Sequence, residues 1–395
     1  MELKNQIKKL ATKYYPEIID IRRHLHANPE LSFQEFETSA FICKNLDEWK
    51  IPYKTGFAGT GIVATLDGAG PGRIIGLRAD MDALPIQEEN DISFKSKNPG
   101  KMHACGHDVH VSCLLGSIRI LQEIKSQWHG KIKFVFQPAE ERVPGGANMM
   151  IQENAFGSEE PEIMIAQHVY TDMKVGNVGF RPGIYMASSD EIFIKVKGKG
   201  GHGALPDKLT DPVLISAYLL SSLQQVVSRN AKPGIPTVLS FGKVIANGSV
   251  NIIPDEVSIE GTLRTMNEEW REQAHSLIKK ICENIVEGMG GKVEIEIRHG
   301  YPLLVNDHEV TANASDFAKD FLGDTKVEDL EIRMTAEDFA YFAQKYPSVL
   351  FRLGTSDNPG KDGALHTSRF NVNESSIELS MGLLAWMSVG FLGRT

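Results

Sequence analysis

Ile74-Ile75-Gly76-Leu77-Arg78-Ala79-Asp80-Met81-Asp82 is a short β-rich run that ends in two acids. Glycine before it and Pro85 after it mark the bounds of a buried strand, with Asp80 and Asp82 at its carboxyl end. The pattern recurs downstream. Lys131-Ile132-Lys133-Phe134-Val135-Phe136-Gln137 runs into Pro138-Ala139-Glu140-Glu141, and Glu162-Ile163-Met164-Ile165-Ala166-Gln167 runs into His168. A helical pattern over 107–125 lies between the first two strands. Strands alternating with helices predict an α/β fold with a mostly parallel sheet flanked by helices. Ligands of such sheets bind beyond the carboxyl ends of the strands. Asp80, Asp82, Glu140, Glu141 and His168 are all expected at such ends, so one site is expected to gather them.

Outward from that core, residues 2–27 read as helical, with Pro16 suited to a first turn after a break. Residues 34–50 read as an amphipathic helix with Phe36, Ala40, Phe41, Cys43 and Leu46 near one face. The texture changes at Asp190. Glu191–Lys197 alternates, as a strand with one wet face does. Gly198-Lys199-Gly200-Gly201-His202-Gly203 formally matches a dinucleotide-binding fingerprint. Pro206 follows within the loop, the next helix starts only near Asp211, and no acid ends a strand about 20 residues on, so that reading fails. The glycines serve instead to present His202. A helix over 211–229, strands over 237–246 and 251–264, a helix over 267–288 and a strand over 292–298 complete an inserted α+β domain. The larger domain resumes with a helix over 309–322 and a helix opening at Thr335-Ala336-Glu337-Asp338-Phe339. A strand over 348–354, a loop carrying His366 and a helix over 374–392 follow. The expected domains are therefore 1–183 and 299–395 together, with 184–298 inserted.

A net charge of −9 over 395 residues, with no dense Lys/Arg block, argues against nucleic acid or an anionic membrane as partner. No run of 18 apolar residues predicts a membrane span. The four cysteines lack framework spacing and the first residues lack an apolar leader core, which together predict a cytoplasmic protein.

The densest chemistry is Met102-His103-Ala104-Cys105-Gly106-His107-Asp108-Val109-His110. Imidazole, thiolate and carboxylate are transition-metal ligands, although a polar helix start would share this composition. Glu140 and Glu141 leave a strand pointing opposite ways, so one could bind metal while the other holds a water. A surface or capping role for the pair is the bland alternative.

RADMDALP (78–85), MHACGHDVH (102–110), QPAEE (137–141), QH (167–168), GKGGHGALP (198–206), GSVNIIPDE (248–256), GTLRT (261–265), EDF (337–339) and LHTSRF (365–370) together resemble the M20 metallopeptidases. More narrowly they resemble the amidohydrolase branch, which cleaves N-acyl amino acids. The resemblance spans essentially the whole chain. It implies a two-metal hydrolase with Cys105, His107, Glu141, His168 and His366 as ligands and Glu140 as general base. Asp82 matches the acid that orients a metal ligand. Asp80 stands where many members have a histidine ligand, and Cys105 compensates, leaving Asp80 outside the metal set. The inserted segment resembles a dimerisation or lid domain, implying a homodimer in which His202 polarises the scissile carbonyl across the interface. Asn251 and Arg264 would hold the substrate carboxylate. A thiolate favours zinc, nickel or cobalt, while the resemblance keeps manganese in play. Two readings compete with N-acyl amino acid hydrolysis: a dipeptidase or aminopeptidase on the same centre, and a metal-binding protein without catalysis.

Overall fold

The computed structural model describes residues 2–361 and 363–393. The chain forms two compact units: Met1–Tyr185 with Val305–Glu331 and Asp338–Thr395, and Met186–Leu304 with Ile332–Glu337. The second unit thus runs beyond 298 and takes in a short later segment.

In chain order, the first unit opens with α1 (Glu2–Ala27), α2 (Phe36–Glu48), β1 (Tyr53–Phe57), β2 (Gly61–Asp67) and β3 (Ile74–Asp80). It continues through α3 (His107–Glu123), β4 (Lys131–Gln137), α4 (Gly146–Gln152), β5 (Ile163–Lys174), β6 (Val178–Phe180) and β7 (Gly183–Met186). The second unit contributes β8 (Ser188–Lys197), β9 (Gly201–His202), α5 (Pro212–Leu223), β10 (Thr237–Ile245) and β11 (Ile252–Ile253). It closes with β12 (Glu256–Thr265), α6 (Glu268–Gly288) and β13 (Lys292–His299). After β14 (Leu304–Asn306) come α7 (His308–Leu322), β15 (Val327–Asp329), α8 (Ala340–Lys345), β16 (Ser348–Ser356) and α9 (Ser375–Leu392).

The first unit is built on an eight-stranded sheet ordered β1-β2-β4-β3-β5-β16-β6-β15. Its centre, β4-β3-β5-β16, is parallel. These central strands are buried almost throughout, as a parallel sheet covered by helices requires. Helices α1, α3 and α9 pack on one another, and α7 joins α9. Apolar residues from all four share one core with the sheet.

Several local expectations change. Helix α1 is continuous through Pro16, because Tyr14, Ile18 and Ile19 on either side are anchored in the core. On α2 the buried stripe is Thr38, Ile42 and Leu46, four residues apart, and Phe36 is exposed. Strand β5 continues past His168 to Lys174 because β16 pairs alongside it, placing His168 opposite Arg352. The acids Glu337 and Asp338 precede α8, which starts only at Ala340. Helix α9 is long and apolar enough to cross a membrane, with a mean hydropathy of 1.3 over 18 residues, yet 78% of it is buried. Its apolar surface is the price of being enclosed by α1, α3 and α7.

The second unit has a four-stranded antiparallel sheet ordered β10-β12-β8-β13. Strand β8 alternates, burying Ile192, Ile194 and Val196 against Ile215, Leu219 and Leu223 of α5. Helix α6 adds Trp270, Ala274, Ile278, Cys282 and Val286, a stripe at four-residue spacing. The strand expected over 251–264 is interrupted: β11 ends at Ile253, Pro254 intervenes, and β12 begins at Glu256. Proline lacks the N–H that a continuous ladder needs.

Candidate metal centre

Asp82 lies just past the end of β3, almost wholly buried. Its Oδ1 is 3.2 Å from His107 Nδ1 and accepts the Glu140 backbone N–H at 3.1 Å. Its Oδ2 accepts from Ser32 Oγ at 2.6 Å and from the Glu141 backbone N–H at 3.0 Å. Burial alone would raise this carboxyl, but the bonds from His107, Ser32 and Glu141 hold it below the ordinary range. One carboxylate therefore fixes a histidine ring and the backbone of the glutamate pair together.

His107 is the first residue of α3, and Gly106 caps it in the left-handed region at φ 84°. A side chain at 106 would meet Val169 Cγ2 at 2.6 Å, so the turn that presents Cys105 and His107 requires glycine. Cys105 Sγ lies 3.4 Å from both His168 Nε2 and His366 Nε2. His168 donates Nδ1–H to the Val169 carbonyl at 2.8 Å, leaving Nε2 as the lone-pair nitrogen facing the sulfur. Burial and then Arg352 keep this ring well below its usual pKa, hence neutral. His366, held by its backbone N–H on the Ala104 carbonyl and with φ at 62°, brings Nε2 within 3.2 Å of Glu141 Oε1.

The expected ligands therefore converge. Cys105, His107 and His168 each offer a donor atom within 4.8 Å of the others, and so do Cys105, Glu141 and His366. A third group of the same kind joins His107, Glu140 and Glu141. The first two groups share Cys105, and the last two share Glu141. The environment calls for positive charge there. Burial would lower the His107 pKa, but Asp80, Asp82 and Glu141 drive it up to about 10. Burial, Glu141 and Glu140 push the Cys105 thiol well above its ordinary value. His107 Nε2 and Glu141 Oε1 are buried without a well-formed hydrogen bond. Buried anions and lone pairs with nothing to neutralise them are costly, and divalent cations fit this donor set.

Asp80 joins His107 and His110 in one more group of this kind. It is shared between Arg78 Nη1, at 2.8 Å, and His110 Nδ1. His110 Nε2 accepts the Val169 N–H at 2.9 Å, which leaves Nδ1 as the donor to Asp80. Arg78 also donates to Gln137 and to Asp338, and Gln137 donates to Asp338. This buried network ties the ends of β3 and β4 together. Reading the sequence missed it, and it missed Glu35 as well. The Glu35 carboxylate accepts from the Ala139 N–H at 2.9 Å and from Thr60 Oγ1 at 2.9 Å, bracing the loop that carries Glu140. Burial, with Asp82 nearby, pushes its pKa up to about 7. The acids of Asp80 and Asp338 were visible as motif letters. Their partners were not, because they are separated by up to 260 positions.

His202, Asn251 and Arg264 belong to the second unit. His202 pairs with Ile252 in the ribbon β9–β11, and the Gly203 N–H binds the Asn251 carbonyl at 2.8 Å, so the ribbon holds His202 and Asn251 together. His202 Nδ1 accepts the Ala204 N–H at 3.1 Å, which leaves Nε2 to carry the ring proton. Arg264 lies on the separate sheet, on β12, with Nε on Thr262 Oγ1 at 3.2 Å.

A buried cluster of thiol, imidazoles and carboxylates at the ends of parallel strands is the donor set of a metal-dependent hydrolase. Residues 76–386 match Peptidase family M20/M25/M40, and the chain belongs to that family. It is a hydrolase acting on amide bonds. It is 41% identical over 306 residues to an N-acyl-L-amino acid amidohydrolase of Geobacillus stearothermophilus, covering 78% of this chain and 82% of that one. It is 38% identical to an N-acetyldiaminopimelate deacetylase of Enterococcus faecalis, covering 91% and 94%. Among solved structures it is similar to the Bacillus subtilis YXEP protein, described as a dinuclear metal binding peptidase from the M20 family. That match has a TM-score of 0.81 and 31% identity, and covers 96% and 99% of the two chains.

Proposed function

We propose that this protein hydrolyses N-acyl amino acids to a carboxylic acid and a free amino acid, using two divalent cations. The reading rests above all on Asp82, whose two oxygens hold His107 and the backbone of Glu140 and Glu141 around one donor cluster. Cys105, His107, Glu141, His168 and His366 would hold the ions, zinc or manganese first, with nickel and cobalt also suited to thiolate and imidazole. Bound there, the ions supply Lewis acidity for the amide carbonyl and for a water molecule. Glu140 takes a proton from that water on a carboxylate oxygen and passes it to the departing nitrogen, so that one water and one amide give one acid and one amine. His202, supplied across a homodimer interface, donates Nε2–H to the carbonyl oxygen as charge develops. Arg264 and Asn251 receive the substrate's free carboxylate, for which a guanidinium fork is suited. The homodimer is supported by exposed Val213, Leu214 and Tyr218 on α5 and by Val244 and Ile245 on the edge strand β10. The four free thiols are in keeping with a cytoplasmic location.

The test is release of free amino acid from a panel of N-acyl amino acids and dipeptides. Each is assayed with added Zn2+ or Mn2+ and again after chelation. Metal-dependent cleavage confined to the acylated compounds supports the proposal. Preference for dipeptides with a free amine would replace it with a peptidase, and silence with metal verified as bound would overturn both.

A further inference from the structure

A second cluster of metal-ligand side chains lies within the second unit. On α6, Glu272 and His275 are three residues apart and so share one face of the helix. His299 ends β13 directly opposite Asp190 of β8. One donor atom from each of Glu272, His275 and His299 lies within 4.8 Å of the other two. The His275 and His299 rings stand perpendicular, at 83°, with centroids 4.6 Å apart, and His299 Nδ1 is 3.7 Å from Glu272 Oε1.

The decisive residue is His275. It is 95% buried, and its Nε2 is 2.7 Å from Asp190 Oδ2. Asp190 is itself gripped by Arg271, at 2.9 Å and 2.6 Å, and by the Gly300 N–H at 3.2 Å. An ionised Asp190 can only accept, so Nε2 carries the proton and Nδ1 of the neutral ring carries the lone pair. That Nδ1 is buried and has no hydrogen-bond partner. A carboxylate that orients a histidine through one nitrogen, leaving the other free, is the arrangement that supports metal ligation. Glu272 and His299 are exposed and can close by rotamer changes toward the roughly 2 Å bonds a metal demands.

We propose that Glu272, His275 and His299 form an accessory site for a borderline divalent ion such as Zn2+, Co2+ or Ni2+, with solvent completing the coordination. Two imidazoles and one carboxylate suit these ions better than magnesium or calcium. The ion ties α6 to the end of β13, and its role is structural. The site is separate from the hydrolytic centre and does not depend on the substrate assigned above.

The experiment is hydrogen exchange on the full chain, read by mass spectrometry as Zn2+ is added. Wild type is compared with Glu272→Ala, His299→Ala and the double variant. The altered residues are exposed, so folding is retained, and turnover of the loaded enzyme stays at the wild-type level. Zn2+ is expected to slow exchange over 268–288 and 292–299 in wild type, and each single variant to need at least about tenfold more Zn2+ for the same protection. Peptides over 102–110 report the hydrolytic centre and respond alike in all four proteins. Equal protection of 268–299 in wild type and the double variant overturns the proposal. So does no Zn2+-dependent protection there while 102–110 responds.

Discussion

Both oxygens of Asp82 are committed to neighbours, so its effect on chemistry is indirect. Asp82→Asn keeps the shape but replaces one acceptor by a donor, which then faces either His107 and the Glu140 N–H or Ser32 and the Glu141 N–H. Metal affinity is expected to fall roughly 10- to 100-fold with helix content unchanged, measured by competition with a chromogenic chelator. Unchanged affinity would remove Asp82 from its positioning role. Glu140→Ala separates base from ligand: metal content by plasma mass spectrometry stays at the wild-type level, while kcat drops about 10²- to 10⁴-fold. Normal turnover in that metal-replete variant would end the assignment of Glu140. His202→Ala is expected to lower kcat about 10²- to 10³-fold with a smaller change in KM. A change confined to KM would mean that His202 contacts the ground state. At this scale the sequence was informative where chemistry is local. Cys105 and His107 sit two apart at a glycine-capped helix start, and Glu140 and Glu141 are adjacent. It was silent about Glu35, whose meaning comes from Ala139 more than a hundred positions away.

Asp190 shows how one side chain serves a whole element. It lies on the buried face of β8 and receives Arg271 and His275 from α6. Burial would raise its carboxyl, yet the bonds from His275 and Arg271 bring it down to about 2. A depressed folded pKa contributes stability that is fully present above the unfolded value near 4 and is lost as pH falls through about 2. The shift corresponds to about 2 kcal/mol. Asp190→Asn should therefore be less stable than wild type at pH 7 by at least about 2 kcal/mol, with the gap narrowing below pH 4. Hydrogen exchange over 188–197 between pH 7 and pH 3 checks this, and a gap that stays constant would contradict it. Elements with a strong period and clear bounds, such as β4 over 131–137, were legible in full. Those decided by neighbours were not. Strand β5 outran its apolar run because β16 offers a ladder on its far side. Helix α1 survives Pro16 because burial on both sides outweighs one missing hydrogen bond.

For the whole molecule, the two-unit division was legible because the alternating texture at Asp190 differs from the buried runs before it. What the pattern could not reveal was the return of 332–337 to the second unit, a stretch with no period of its own. The proposed homodimer makes a prediction at this scale. Leu214→Glu combined with Val244→Lys places charge on two exposed apolar positions of the second unit without touching its core. Sedimentation velocity is expected to show a monomer for the variant and a dimer for wild type. If His202 acts across the interface, kcat falls with dimer loss although every metal ligand is intact. A fully active monomer would restrict His202 to its own subunit.

The first unit's sheet is interrupted in the chain: β5 ends at Lys174, and β16, its neighbour, begins at Ser348. During synthesis at about 5–20 residues per second, the ribosome needs roughly 10–35 s to make what lies between. For that interval the nascent β5 has an open edge, and most of the second unit, 186–304, is completed within it and is free to fold before β16 is made. His366 and α9 follow β16 in the chain. The hydrolytic centre thus cannot be assembled until His366 has been made, and a nascent chain stalled before β16 carries a completed insert together with an unfinished, aggregation-prone sheet.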